Sequence, residues 1–219
     1  MSKQSSNTGA PNAQSWGYTE DFVPADELMR EAREEALLAG FEPISTGVAA
    51  ALTALTAAKG AATAVEVGTL MGASALALLR GMGDKGVVTS IDAEVDQQIC
   101  ARSVLTRAGY SSSRFRLIAG RPLEVLPKLR DAAYDVVLVN GDKLEYVECV
   151  AEASRLLRPG GLLLVHDALW HGAVADPEDE GDEAIIIREA LEAVTRSEAY
   201  AEALLPVGDG LLLAVKLPR

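Results

Sequence analysis

The sequence predicts an α/β protein built on a mostly parallel, seven-stranded sheet with helices on both faces and an antiparallel hairpin at one edge. Three features carry that expectation. Short β-branched runs alternate with segments of helical period along most of the chain, which is the pattern of strands joined by crossover helices. The run Val65-Glu66-Val67-Gly68-Thr69-Leu70-Met71-Gly72-Ala73-Ser74 passes from strand through a glycine turn into a good helix former. Finally, Ala203–Val207 and Leu211–Lys216 are apolar runs joined by Gly208-Asp209-Gly210, which reads as a hairpin.

Residues 1–18 are rich in Ser, Asn, Gln and Gly, too polar to offset the entropy of ordering, and read as a flexible tail. Residues 19–219 then form a single domain, since a chain of 219 residues that is 49% apolar supplies one well-buried core. Glu27–Leu38 carries Leu28, Met29, Ala32, Ala36 and Leu37 among charges, an amphipathic helix between Pro24 and Gly40. Ser45–Lys59 is a second, alanine-rich helix. The alternation follows: strand 64–67, helix 73–80, strand 87–91, helix 94–108, strand 115–119, helix 122–130, strand 135–139, helix 143–157, strand 161–166 and helix 182–196. The acidic run 176–183 reads as a solvated insertion, because a block of like charge prefers water; if it faced a ligand pocket instead, it would disfavour anionic acceptors.

The net charge of −12 leaves no electrostatic footprint for nucleic acid or an anionic membrane surface. No apolar run approaches the roughly 20 residues of a membrane span, and the N-terminus lacks the layout of a signal peptide. Cys100 and Cys149 both fall in helical segments, a usage that fits packing thiols in a reducing compartment. A cytoplasmic protein with a small-molecule ligand is expected.

In an open parallel sheet, ligands bind beyond the carboxyl ends of the strands. The glycine turn places backbone N–H groups and a helix N-terminus there, and Asp92 ends the next strand, where a ribose hydroxyl pair would sit. A dinucleotide fingerprint would have glycine at positions 70 and 73, but the chain has Leu70 and Ala73. The Glu-x-Gly-x-x-x-Gly form suits a ligand without pyrophosphate, such as S-adenosylmethionine. Two further strand ends carry Asn140-Gly141-Asp142-Lys143 and His166-Asp167, the latter followed by Trp170-His171-Gly172. Both histidines of the chain lie in this one stretch beside a carboxylate. Taken singly, each is as readily a packed or solvated imidazole, and Lys143 as readily a solvated side chain.

These stretches, with Leu156-Leu157-Arg158-Pro159-Gly160-Gly161 and Leu205-Pro206-Val207-Gly208-Asp209-Gly210, resemble the cation-dependent class I O-methyltransferases, typified by caffeoyl-CoA and catechol O-methyltransferases, over about residues 22–217. The resemblance implies the Rossmann-like methyltransferase fold, S-adenosylmethionine as cofactor, a small and aromatic hydroxyl acceptor, and a homodimer. It implies that Ile44 and Ser45 cover the methionine part of the cofactor, with Glu66, Gly68, Thr69 and Ser74 lining the turn beneath it. Asp92 would hold the ribose, Arg121 the adenine through its backbone, and Asp142 the cofactor. Lys143 matches a lysine near the acceptor hydroxyl, and Tyr146, Trp170 and His171 would edge the acceptor.

The chain departs from the family at the metal. The family's Asp-Ala-Asp-Lys and Asp-Asn supply three ligands, and the corresponding positions here are Asn140, His166 and Asp167. Formal ligand charge falls from −2 to −1 with neutral histidine, which weakens a hard-oxygen site for Mg²⁺ and suits Zn²⁺, Fe²⁺, Ni²⁺ or Mn²⁺ better. Alternatively no metal binds and His166 is itself the base that takes the acceptor proton. Two other classes stay open: a protein that binds S-adenosylmethionine without transferring its methyl group, and a nicotinamide-dependent oxidoreductase on a similar sheet.

Overall fold

β-Branched and leucine-rich runs pair into one seven-stranded sheet in the computed structural model, which describes residues 13–218. The strands are β1 (Thr63–Val67), β2 (Val87–Asp92), β3 (Phe115–Ala119), β4 (Tyr134–Val139), β5 (Leu157–His166), β6 (Tyr200–Leu205) and β7 (Leu211–Lys216). Their order is β3-β2-β1-β4-β5-β7-β6. The first five run parallel, and β7 is antiparallel to both β5 and β6. The chain thus leaves β1 outward through β2 and β3, then returns to start β4 on the other side of β1. That reversal opens a crevice above the carboxyl ends of β1 and β4.

The helices are α1 (Ala13–Glu20), α2 (Glu27–Leu38), α3 (Thr46–Lys59), α4 (Ala73–Gly81), α5 (Val95–Arg107), α6 (Pro122–Val125), α7 (Tyr146–Leu156) and α8 (Asp182–Arg196). Alternation along the central strands divides the core in two. Ala64, Val136, Leu138, Leu162 and Leu164 pack under α3 and α4, whereas Val65, Val67, Val137, Val139, Leu163 and Val165 pack under α7 and α8. Both faces are covered, which is why these strands are apolar at nearly every position. Truncating a fully buried side chain such as Leu138 is expected to cost about 2–5 kcal/mol. Caps fix where the helices begin: Asp26 accepts from Met29 N at 3.0 Å ahead of α2, and Ser45 accepts from Val48 N at 3.1 Å ahead of α3.

Several boundaries differ from the sequence expectation, each for a local reason. Residues 13–18, expected to belong to the tail, lie in α1; the rest of that tail falls outside the described residues. The helix expected over 122–130 stops as α6 and continues as a 3-10 turn, Leu126–Lys128, because Pro127 has no N–H to donate. The helix expected over 143–157 opens with a 3-10 turn, Lys143–Glu145, before α7. Strand β5 begins at Leu157, pairing with Tyr134 before a register shift. In the hairpin the outer strand spans Tyr200–Leu205 and not 203–207, since Pro206 lacks a donor and Gly208 and Gly210 turn the chain at positive φ. Of the two thiols, Cys149 is buried but Cys100 is partly exposed. Among the described residues no helix is long and apolar enough to cross a membrane.

Candidate active site

Gly68 holds the crevice open because of how close β4 comes. Its φ is +88°, and a Cβ there would lie 2.2 Å from the backbone oxygen of Asn140. Gly72, at φ +90°, is similarly confined by Ala101, 2.8 Å from where its Cβ would be. Asp92 braces the turn between these glycines: its Oδ2 accepts from Thr69 N at 2.8 Å and Leu70 N at 3.3 Å, and its Oδ1 from Glu94 N at 2.9 Å. Three of roughly four acceptor positions on this carboxylate are thereby taken. Sequence reasoning assigned Asp92 to a ligand and missed this structural duty.

A buried polar chain lies under the turn. Gln98 Nε2 donates to Thr69 Oγ1 at 2.9 Å, Thr69 and Ser90 hydroxyls meet at 2.6 Å, and Ser90 donates to Glu66 Oε2 at 2.5 Å. Glu66 is fully buried, and its Oε1 has no aligned hydrogen-bond partner. Burial, reinforced by the nearby Asp92 carboxylate, pushes its carboxyl up to about 7 against the opposing effect of Ser74 and Ser90.

A cavity of about 660 Å³ fills the crevice. Of the residues singled out in the sequence, Gly68, Asp92, Arg121, Asn140, Asp142, Lys143, Asp167 and Trp170 line it. Glu66, Thr69 and Ser74 lie in the layer below. Ile44 is buried in the core under α3, and Ser45 caps that helix beside a separate cavity of about 400 Å³. Tyr146 does not edge the main cavity: it is fully buried in α7 and its hydroxyl donates to His166 O at 3.0 Å. His171 is exposed outside the cavity wall, its backbone N donating to Asp209 Oδ2 at 2.6 Å. The wall also includes Phe41, Glu42, Glu94, Gln97, Glu145 and Glu183, none of them singled out beforehand. Glu94 and Gln97 follow the end of β2, so the strand-end rule was a signal for them. Glu183 comes from the acidic run expected to be a solvated insertion.

The register of β4 and β5 brings the chemistry together. Leu138 pairs with Leu164 and Val139 with Val165, and one step further Asn140 faces His166. His166 Nδ1 lies 2.7 Å from Asn140 Oδ1 and 3.1 Å from Asp167 Oδ1; both partners accept, so the ring proton sits on Nδ1. Asp167 Oδ2 lies 2.7 Å from Lys143 Nζ, which sits 5.1 Å and 5.4 Å from the ring centres of Tyr146 and Trp170. Burial alone would raise the Asp167 carboxyl, but His166 and the Lys143 ammonium outweigh it and bring it down to about 2. Asp167, Trp170 and His171 all have positive φ, as does Leu70. Such backbone costs about 1–3 kcal/mol per residue and clusters where side chains must be aimed.

Asn140, His166 and Asp167 do meet, but they do not suit a hard divalent cation. Asp167 is the one carboxylate of the three, and Lys143 already neutralises it. The imidazole nitrogen on their side carries a proton directed at the other two side chains. Such ions favour several free anionic or carbonyl oxygens, and here Asn140 Oδ1 and both Asp167 oxygens are already taken up by the imidazole and the lysine. His166 is 2% exposed and not part of the cavity wall, so it is placed to hold Asn140 and Asp167 in position.

The strand order, glycine cradle and polar strand ends define a crevice for a nucleoside-type ligand beside a lysine–carboxylate pair. The family profile described as O-methyltransferase matches residues 20–217, and the chain belongs to that family. A Mycobacterium tuberculosis protein named as an O-methyltransferase is 41% identical over 92% of this chain and 90% of its own length. A solved Corynebacterium glutamicum protein superposes with a TM-score of 0.86 at 31% identity, covering 95% of this chain and 99% of the other. The O-methyltransferase TomG of Streptomyces achromogenes, involved in tomaymycin synthesis and solved with S-adenosylmethionine, matches with a TM-score of 0.84 at 24% identity over 95% of this chain and 100% of its own.

Proposed function

We propose that this protein transfers a methyl group from S-adenosylmethionine to a hydroxyl oxygen of a small, aromatic acceptor, without a divalent cation. The observation that carries the reading is the Lys143–Asp167 pair standing in the same cavity wall as the Gly68 cradle and Asp92. Family membership and the bound cofactor of the Streptomyces relative support the choice of cofactor. The cradle fits it: glycine at 68 leaves space that a Cβ would fill, and the remaining acceptor position of Asp92 suits a ribose hydroxyl. Asp142 and the Arg121 backbone complete the cofactor side.

When bound, S-adenosylmethionine supplies an electrophilic methyl on sulfur. The rest falls to the chain. Lys143 holds the acceptor oxygen and stabilises the negative charge that builds on it, with Trp170 packing the acceptor against the lysine. Asp167 takes the acceptor proton. A carboxylate held near 2 is a weak base toward a free phenol, so the proton transfer leans on the Lys143 ammonium, which makes the hydroxyl it holds more acidic and stabilises the oxyanion before the methyl is transferred. His166 and Asn140 fix Asp167 so that one of its oxygens faces Lys143. A cytoplasmic location accords with two unpaired cysteines.

The test is calorimetric titration of S-adenosylhomocysteine into chelator-treated protein, followed by turnover of a catechol with and without EDTA. Micromolar binding and chelator-resistant turnover are expected. Failure to bind under every metal condition would sink the cofactor assignment.

A further inference from the structure

The sheet order separates two ends of the cavity. On the β2 side lie Asp92, Glu94 and Arg121, where the nucleoside belongs; on the β5 side lie Trp170, Glu42 and Glu183, beyond the Asn140–Lys143 segment in the middle. Seven carboxylates and two cations line the whole wall, and both cations are already paired within it: Lys143 with Asp167 at 2.7 Å and Arg121 with Glu145 at 3.8 Å. At the β5 end Glu183 is half-buried at the start of α8, which packs on the turns carrying Lys143 and Trp170. Among the described residues no lysine, arginine or histidine forms an ion pair with it, and Glu42 meets only the His171 ring, at 3.5 Å.

A separate feature also calls for a ligand. Asn140 is 5% exposed and forms part of the wall, yet its Nδ2 has no acceptor. A buried donor left unpaired is destabilising until an acceptor atom arrives. It belongs to the same stretch of cavity wall as Lys143.

On the methyltransferase reading above, we infer that the acceptor carries a protonated amine as well as its reactive hydroxyl, with the oxygen toward Lys143 and Asn140 and the cation toward Glu183, Glu42 and the Trp170 face. A low-dielectric cleft lined by one sign of charge concentrates the opposite sign and repels its own, and a cation over an indole face adds to this. Phosphorylated or carboxylated acceptors, coenzyme A thioesters included, meet no unpaired cation in this wall.

Three catechols that differ only in side-chain charge test this: dopamine, 3,4-dihydroxyphenylacetate and 3,4-dihydroxyphenylethanol. Each is titrated into the protein–S-adenosylhomocysteine complex by calorimetry and assayed for kcat/KM, in 50 mM and 500 mM KCl. The amine is expected to bind at least about tenfold more tightly than the carboxylate at low salt, with the gap shrinking at high salt. Glu183→Gln and Glu42→Gln should each narrow it while leaving the neutral catechol within about twofold. An amine that binds no better than the carboxylate, or a preference untouched by both substitutions, overturns the proposal whether or not any catechol is methylated. Loss of S-adenosylhomocysteine binding itself would instead strike the methyltransferase reading.

Discussion

Lys143 Nζ and Asp167 Oδ2 lie 2.7 Å apart, with side chains only 11% and 9% exposed. A charge pair this sheltered is costly to split, because removing one member leaves the other without compensation. Lys143→Met is therefore expected to lower turnover by about 10²–10³-fold through loss of oxyanion stabilisation. Stability should also fall, while the Kd for S-adenosylhomocysteine stays within about threefold. Steady-state kinetics and calorimetry on the same preparation check both; a large loss of cofactor affinity would contradict the role given to Lys143.

Asn140 and His166 stand where more acidic ligands would hold a metal. Wild-type protein should show no micromolar Mn²⁺ isotherm and no loss of turnover in EDTA. The double change Asn140→Asp/His166→Asp raises the local carboxylate count from one to three and should introduce measurable Mn²⁺ binding. Tight Mn²⁺ binding by the wild type would refute the cation-free mechanism.

Glu66 gives a pH signature. Its folded-state value of about 7 lies above the ordinary 4.5, so the native state holds the proton more firmly than the unfolded chain. The resulting stability is complete below about pH 4.5 and is lost as pH rises through about 7, an effect on the order of 3 kcal/mol. Glu66→Gln keeps the shape without the titration. Its melting temperature relative to wild type should be higher at pH 8.5 than at pH 5.5, and an unchanged difference across that range would refute the assignment.

Gly68→Ala puts a methyl group 2.2 Å from Asn140 O at a φ of +88°. Both the strain and the displaced β4 end should show, as a stability loss of at least about 1–3 kcal/mol in urea and a loss of S-adenosylhomocysteine binding. An alanine variant that binds normally would mean the turn is looser than this geometry requires.

Self-association is a further expectation, as a homodimer. Leu38 at the end of α2 is 88% exposed, and the exposed rings of Tyr18 and Phe22 meet tilted at 58° with centres 6.0 Å apart. Light scattering coupled to gel filtration should give twice the 23.0 kDa chain mass, and a monomeric mass at micromolar concentration would rule the dimer out.

The sequence by itself determined the succession of strands and helices, the place of the crevice and the glycine cradle, because strand period, helix period and turn residues are local properties. It also put Asn140, Lys143, His166 and Asp167 at neighbouring strand ends. What they do there was decided by the tertiary structure. Strand register turned His166 toward Asn140 and out of the cavity, packing buried Tyr146 beneath Lys143, and the reach of that lysine to Asp167 cancelled the charge a metal would need. Glu183 joined the wall only because the start of α8 packs on the turns after β4 and β5. Distance between side chains, unlike periodicity, depends on elements far apart in the chain, and no local pattern encodes it.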